Sequence, residues 1–415
     1  MYLRILLGVD SLVDLVKMLK KYNQEHLLGF YDELDEDGKT NLISQIKGID
    51  FELISELYEM AQKGSDEKTD PSDIQPMAYT DKDEISSVNK DRYKAIGRKI
   101  CENGEYAVVT MAGGQGTRLG HTGPKGTFDI GIGKSLFEIQ CERIRNMGFN
   151  VPWYIMTSKE NDADTKAFFE ANNYFGYDKE NIIFFTQRML PMMLENGRIV
   201  LEEKNRIKEG ADGHGGIFRA MIESGVLDDM KRRNIKWIFT CGIDNVLTRP
   251  DDLLFLGYVS EKGSMIGCKS LVKRGPCEKV GVFCKVKGRP SVIEYTEISE
   301  EMANLRDEKG NLVYGDAHIL LNLFNISVFE KMGGRGLPYH VAFKKTDYIN
   351  EKGEKVLADK PNAYKYEAFI FDAFSYFDDI AILRVKREEE FAPVKNKEGE
   401  DSPKTALELY LNADK

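Results

Sequence analysis

The residues whose types and spacing could do chemistry begin between Thr110 and Gly126, where the chain reads Thr-Met-Ala-Gly-Gly-Gln-Gly-Thr-Arg-Leu-Gly-His-Thr-Gly-Pro-Lys-Gly. Gly113, Gly114 and Gly116 remove side chains from a short stretch, so backbone N–H groups can point at an anion and approach it closely. Arg118 and Lys125 add charges that can neutralise a polyphosphate. The spacing after Gly116 does not give G-x-G-x-x-G, and no G-x-x-x-x-G-K-[ST] occurs. The loop is therefore neither the dinucleotide fingerprint nor a P-loop, and a dehydrogenase is disfavoured. It reads as a cradle for phosphates in a nucleotide-handling enzyme.

Two elements must position that loop. Before it, Tyr106-Ala-Val-Val-Thr110 is apolar and β-branched, the pattern of a buried strand. After it, Ser135-Leu-Phe-Glu138 has the capping-box form that starts a helix, and Gly148 is placed to end that helix. Further strand candidates at 151–156, 182–185, 237–241, 264–269, 279–285 and 291–295 alternate at first with helical stretches. The early ones are continuous apolar runs, as in a mainly parallel sheet covered on both faces. The later ones lie closer together and suggest antiparallel additions. Near the N-terminus, Leu12, Leu15 and Leu19, then Leu27, Leu28 and Tyr31, recur at helical spacing. His26 in this region reads as a helix-surface or interdomain residue. Residues 64–83, rich in Ser, Asp, Pro and Lys, read as a linker or wrapping arm, and a helix is expected near Ala368–Phe377.

The Ala112–Gly120 loop with Pro124-Lys-Gly126 resembles the signature of UDP-sugar pyrophosphorylases, and within them the UDP-N-acetylglucosamine branch more than the UDP-glucose branch. The resemblance continues in order through Phe184-Phe-Thr-Gln187 with Met189-Leu-Pro191, Leu201-Glu-Glu-Lys204, Asp212-Gly-His-Gly-Gly216, Asp244-Asn245 and Val280-Gly-Val282. It then takes in Glu294-Tyr-Thr-Glu-Ile-Ser299, Lys360-Pro-Asn362, Phe371-Asp372 and Glu390-Phe-Ala-Pro-Val-Lys-Asn396. It implies an α/β fold with a Rossmann-like nucleotidyltransferase core, an N-terminal helical arm over 1–95, a catalytic core over 96–340 and a short α+β segment over 341–415 that completes the site. It also implies that the β-rich extension of eukaryotic members is missing after Lys415, and that the assembly is a monomer or a weak homo-oligomer.

The implied reaction joins UTP to a sugar 1-phosphate and releases pyrophosphate. The attacking phosphate oxygen is already an anion, so no general base is needed, and catalysis consists of positioning polyanions and stabilising developing charge. The resemblance places Gly113 and Gly114 on UTP, Arg118 on the β- and γ-phosphates, and Lys125 on the α-phosphate or incoming sugar phosphate. Lys395 would be a second phosphate clamp. Gln187 and Gly213 match residues that face uracil, and an amide side chain can pair with a pyrimidine edge. Asp244 follows the apolar run Trp237–Ile243, at the end of a buried strand, where α/β sheets place ligand groups. It is the expected Mg2+ ligand, because magnesium takes hard oxygens and keeps water and phosphate as the rest of its shell.

The sugar pocket departs from the acetylglucosamine branch. His214 stands where that branch has asparagine and the UDP-glucose branch has histidine. In Tyr314-Gly-Asp-Ala-His-Ile319, Gly315 and His318 replace two asparagines. Glu294 is retained to accept bonds from sugar hydroxyls, with His214 and His318 beside it. The expected substrate is N-acetylglucosamine 1-phosphate, the alternative glucose or galactose 1-phosphate, and a non-catalytic nucleotide sensor comes last. His121 and His340 are expected at the surface.

Composition narrows the partners. At 415 residues the chain can hold a large α/β core with flanking parts. A net charge of −10 with no long basic run argues against a nucleic-acid partner. No apolar run approaches the roughly 18 residues of a membrane helix. Met1–Asp10 lacks the length and cleavage site of a signal peptide, and reads as an extended start or helix cap. Six scattered cysteines without a C-x-x-C pair read as reduced thiols in the cytoplasm rather than as a zinc site or disulfide framework.

Overall fold

The computed structural model describes residues 12–63 and 70–413. The chain opening, with its expected cap, and residues 64–69 of the expected linker lie outside the described residues. The chain divides into two compact units, neither of them a single run of sequence. The smaller comprises Met1–Lys68, Arg188–Gly213 and Pro338–Phe369; the larger comprises Thr69–Gln187, His214–Leu337 and Ile370–Lys415.

The larger unit is built on an 11-stranded sheet. Tyr106–Met111 runs parallel to Trp237–Gly242 on one side and to Trp153–Thr157 on the other, with Ile182–Thr186 parallel beyond. The Tyr106 and Trp153 strands are buried at every position, which is why they read as unbroken apolar runs and not as alternations. Asp316–Asn325 enters antiparallel between Trp237–Gly242 and Ile266–Val272. Its pairing shifts register opposite Cys268 and Ser270, and Leu320 sits there at φ +56°, a bulge in the manner common beside active sites. The hairpin Val282–Val286/Arg289–Ile293 joins through Val282 opposite Ala317. Ser135 caps the helix Leu136–Asn146 by accepting from the Glu138 N–H at 3.1 Å, and Gly148 past its end takes φ +71°, both as the sequence predicts. That helix packs Phe137 against Trp153 and Phe169 in the main core.

The smaller unit packs the helices Leu12–Lys21, Glu36–Lys47 and Phe51–Lys63 together with a three-stranded sheet of Tyr339–Lys344, Ala363–Ala368 and Met193–Leu194. Leu15 and Leu19 are buried as their spacing predicts, whereas Leu12 is exposed. His26 is bound: its Nε2 lies 2.8 Å from the Ile199 carbonyl, and burial pushes its pKa down. The helix expected near Ala368–Phe377 is present as a 3-10 helix, Ile370–Tyr376, that starts after the end of a strand at Ala368. Ala368 completes a strand pair with Tyr339 and donates to the Asp212 carbonyl at 2.7 Å, so it is not available to start a helix.

Candidate active site

The glycine-rich loop leaves the sheet where Ala112 donates to the Met156 carbonyl at 2.8 Å. It then folds back on itself, with Gly116 N–H donating to Gly123 O and Lys125 N–H to Gly114 O, both at 3.0 Å. Asn161 pins the start of the loop. Its buried amide donates to the Ala112 carbonyl at 3.0 Å and the Gly114 carbonyl at 3.3 Å. The sequence reading missed Asn161, although its place just before the helix Asp162–Ala171 is the kind of position where a side-chain amide turns to backbone.

Gln187, far along the chain, is packed against this loop. A Cβ placed on Gly113 would lie 2.3 Å from the Gln187 Nε2, so glycine there is required by the amide that lies over it. Gly113→Ala is accordingly expected to displace Gln187 and raise the KM for UTP about tenfold, with kcat less affected. Initial rates against UTP concentration check this, and an unchanged KM would detach Gln187 from the nucleotide.

Asp244 lies beside the same loop. Gly242 pairs with Met111, and Ile243 N–H donates to the Met111 carbonyl at 3.2 Å, so the two strand ends that carry Asp244 and Gly113 are neighbours. Asp244 is half-buried. Its Oδ1 occupies the space a Cβ on Gly242 would take, at 2.8 Å. Among the described residues no group of three or more His, Cys, Asp or Glu is placed to hold a metal. One carboxylate at the rim of a phosphate loop nevertheless fits magnesium, whose remaining ligands are water and phosphate.

Lys395 is delivered to this strand end by a strap. Residues 390–394 run antiparallel to 244–246: Asn245 donates to Glu390 O and accepts from Ala392 N–H, both at 2.8 Å, and Val394 N–H donates to Asp244 O at 2.8 Å. The Lys395 side chain is exposed, its Nζ 3.9 Å from an Asp401 oxygen. The strap is anchored at Glu390 in a closed ring of four ion pairs. Lys269 Nζ lies 2.8 Å from Glu390 and 2.7 Å from Asp252; Lys82 Nζ lies 3.1 Å from Glu390 and 3.5 Å from Asp252. Burial alone pushes Lys82 down, but the facing carboxylates of Asp252 and Glu390 raise it to about 12. Burial likewise works against the charged form of Asp252, and the two lysines reverse it, holding the carboxyl well below the usual range. The ring was not anticipated, since nothing local in the sequence links its four members.

The residues assigned to the sugar form a second group. His214 Nδ1 accepts from the Ile370 N–H at 3.0 Å, which assigns the proton of the neutral ring to Nε2. Phe371 stands edge-on between His214 and His318, with ring centroids 5.9 and 5.6 Å away. His318 is 9% exposed, surrounded by Phe283, Phe371 and Phe374, with Nε2 3.1 Å from Asn322 Oδ1. Glu294 reaches the same place, because His318 N–H donates to Gly281 O and a Cβ on Gly281 would meet the Glu294 Oε1 at 2.8 Å.

Burial pushes the His318 pKa down to about 4, against a partial upward pull from Asn322. The folded-state value is below the unfolded one, so the neutral ring's stabilisation is full above about pH 6.5 and is lost as pH falls toward 4, about 3 kcal/mol in all. Urea unfolding at pH 7 and 4.5 is expected to show a larger acid loss for the native chain than for His318→Asn, and equal losses would count against it.

For two further expected residues only the local setting is defined. Arg118 is exposed on the 3-10 turn Thr117–Leu119. Gly213 belongs to the smaller unit, where it takes φ +87° beside Ala368. The expected surface positions of His121 and His340 need correction. His121 is half-buried against the glycine loop, and His340 is half-buried and stacked on Phe369 at 4.4 Å.

Residues 51–401 match the family described as UTP–glucose-1-phosphate uridylyltransferase. The human UDP-N-acetylhexosamine pyrophosphorylase-like protein 1 is 35% identical, over 96% of this chain and 83% of its own length. The crystal structure of the uridine diphosphate N-acetylglucosamine pyrophosphorylase from Trypanosoma brucei superposes with a TM-score of 0.83 at 32% identity, covering 98% of this chain and 85% of that one. A UDP-glucose phosphorylase structure from the same organism shares the fold, with a TM-score of 0.68 at 19% identity over 92% and 78% of the two chains. With its cradle loop, strand-end carboxylate and lysine strap all inside the matched region, this chain belongs to the UTP–glucose-1-phosphate uridylyltransferase family.

Proposed function

We propose that the protein is a uridylyltransferase that forms UDP-N-acetylglucosamine and pyrophosphate from UTP and N-acetylglucosamine 1-phosphate, with Mg2+ as cofactor. The observation that carries this reading is the packing of the Gln187 amide onto Gly113 in a phosphate-type loop, next to the strand end that bears Asp244. One set of neighbours thus offers a pyrimidine-reading amide, backbone donors, a cation and a metal-type carboxylate. Relatives named for the acetylhexosamine reaction, at about a third identity over nearly the whole chain, support that sugar.

In the proposed mechanism Gly113 and Gly114 hold the nucleotide close to backbone. Lys125 neutralises the α-phosphate and the incoming sugar phosphate as they meet. Lys395, held by its strap, stabilises charge from the other side, and Arg118 screens the departing pyrophosphate. Asp244 would hold the magnesium, which when bound neutralises phosphate charge. Glu294 accepts from sugar hydroxyls, His214 fixes the turn at Ile370, and His318 braces Phe371 against the pocket. A cytoplasmic location is in keeping with six free cysteines, five of them buried, and with the absence among the described residues of any helix long and apolar enough to cross a membrane.

His214 favours a second reading, glucose or galactose 1-phosphate as substrate. Pyrophosphate release with UTP, magnesium and a panel of hexose 1-phosphates decides between them. Preference for N-acetylglucosamine 1-phosphate is expected. Preference for glucose or galactose 1-phosphate would make the histidine the better guide, and silence across the panel would overturn transferase activity altogether.

A further inference from the structure

His121 lies outside the residues that carry the family resemblance, yet it touches both arms of the phosphate loop. Its backbone N–H donates to Gly116 O at 3.1 Å. Its ring lies on Gly116 so closely that a Cβ there would come within 2.8 Å of the His121 Cβ and Cδ2. On the far side, His121 Nε2 and Thr127 Oγ1 are 2.7 Å apart, and Thr127 Oγ1 donates to Pro124 O at 2.8 Å. A hydroxyl has one proton to give. With Thr127 giving it to Pro124, the histidine is the donor in the first bond, in the tautomer that carries its proton on Nε2. Phe128 closes the other edge of the ring, 5.5 Å away and nearly perpendicular.

Two side chains thus clamp the turn Pro124-Lys125-Gly126 from both ends. Lys125 itself is tied to the facing arm by one main-chain bond, its N–H to Gly114 O at 3.0 Å. We propose that His121 and Thr127 are positioning residues that fix Lys125 over the glycine arm, and so set where its ammonium meets the reacting phosphates. The inference rests on the uridylyl-transfer reading above. Neither side chain takes part in the chemistry. Their effect is on geometry, and charge stabilisation in a transition state is sensitive to displacements of about 1 Å.

The test uses the full chain, with UTP, magnesium and the sugar 1-phosphate that the panel selects. His121→Leu is expected to lower kcat about tenfold with the KM for UTP within about twofold, the pattern of an interaction lost mainly in the transition state. His121→Gln, whose amide can still donate to Thr127, is expected to recover kcat to within about threefold of the native chain. Thr127→Val, close to isosteric, should repeat the loss. The double variant His121→Leu/Thr127→Val should lose no more than either alone, because both break one unit. Should His121→Leu fail to fold, Thr127→Val alone carries the comparison. A native-like kcat in Thr127→Val and in any folded His121→Leu overturns the clasp, as does a folded His121→Leu with no recovery by glutamine. An inactive native chain would instead overturn the transferase reading, so the two failures are distinguishable.

Discussion

Asp244→Ala is expected to abolish turnover, by at least about a thousandfold or roughly 4 kcal/mol of transition-state stabilisation, while leaving the fold intact. The fold survives because the structural bond at this position is made by the main chain: Val394 N–H donates to Asp244 O at 2.8 Å, and alanine keeps it. The side chain is only half-buried and ends at the rim of the sheet beside the glycine loop, so its removal opens no core cavity. What would be lost is the hard oxygen ligand proposed for magnesium. Asp244→Asn separates charge from shape, because it keeps the volume and one carbonyl oxygen but removes the negative charge that magnesium requires. Turnover within about tenfold of native in Asp244→Ala, at saturating magnesium and with unchanged unfolding, would remove this residue from the metal site.

The second large effect is on stability. Glu390→Ala is expected to destabilise the larger unit by about 3–5 kcal/mol, the usual result when one partner of a buried pair is removed and the other is left in place. Lys269 and Glu390 are both fully buried, with no accessible side-chain surface, so water cannot take over the missing charge. Lys82 and Lys269 would then share Asp252 alone. Urea unfolding measures the loss directly, and a change under about 1 kcal/mol would show that the ring is not a coupled unit. The matching control is Lys269→Met combined with Glu390→Leu. Replacing a buried pair with apolar groups of similar volume is often neutral, so this double variant should be more stable than Glu390→Ala. Activity gives a second readout. The strap from Glu390 to Val394 carries Lys395, and with one anchor gone it hangs on Asn245 and two main-chain bonds. Folded Glu390→Ala should therefore turn over more slowly than the native chain.

The glycine loop and its flanking strand were legible because their signals are local. Backbone freedom, an apolar run and a capping serine each declare themselves within a few residues. The strands at Tyr106 and Trp237 fall on the apolar runs, since near-continuous burial in a parallel sheet favours apolar positions throughout. The exposed Leu12 shows the limit of the same reasoning. Periodicity marks a face, but the neighbours decide whether that face is covered. His121 was misplaced for a related reason. A lone histidine in the run Gly120-His-Thr-Gly123 has no periodicity to read, and its role depends on Gly116 and Thr127 folding onto it from either side.

The sequence by itself determined the kind of loop, the α/β alternation and the places of the main strands along the chain. The tertiary structure alone decided how these are assembled. Asn245 meets Glu390 across 145 positions and Lys82 meets Glu390 across 308, and the smaller unit is gathered from three separate segments. The physical reason is that such contacts depend on which surfaces remain to be buried once the local elements have formed. A carboxylate at position 390 carries no local mark of the two lysines that will neutralise it. Only when the sheet brings Lys269 beneath the strap does an exposed-looking glutamate become the buried anchor of Lys395.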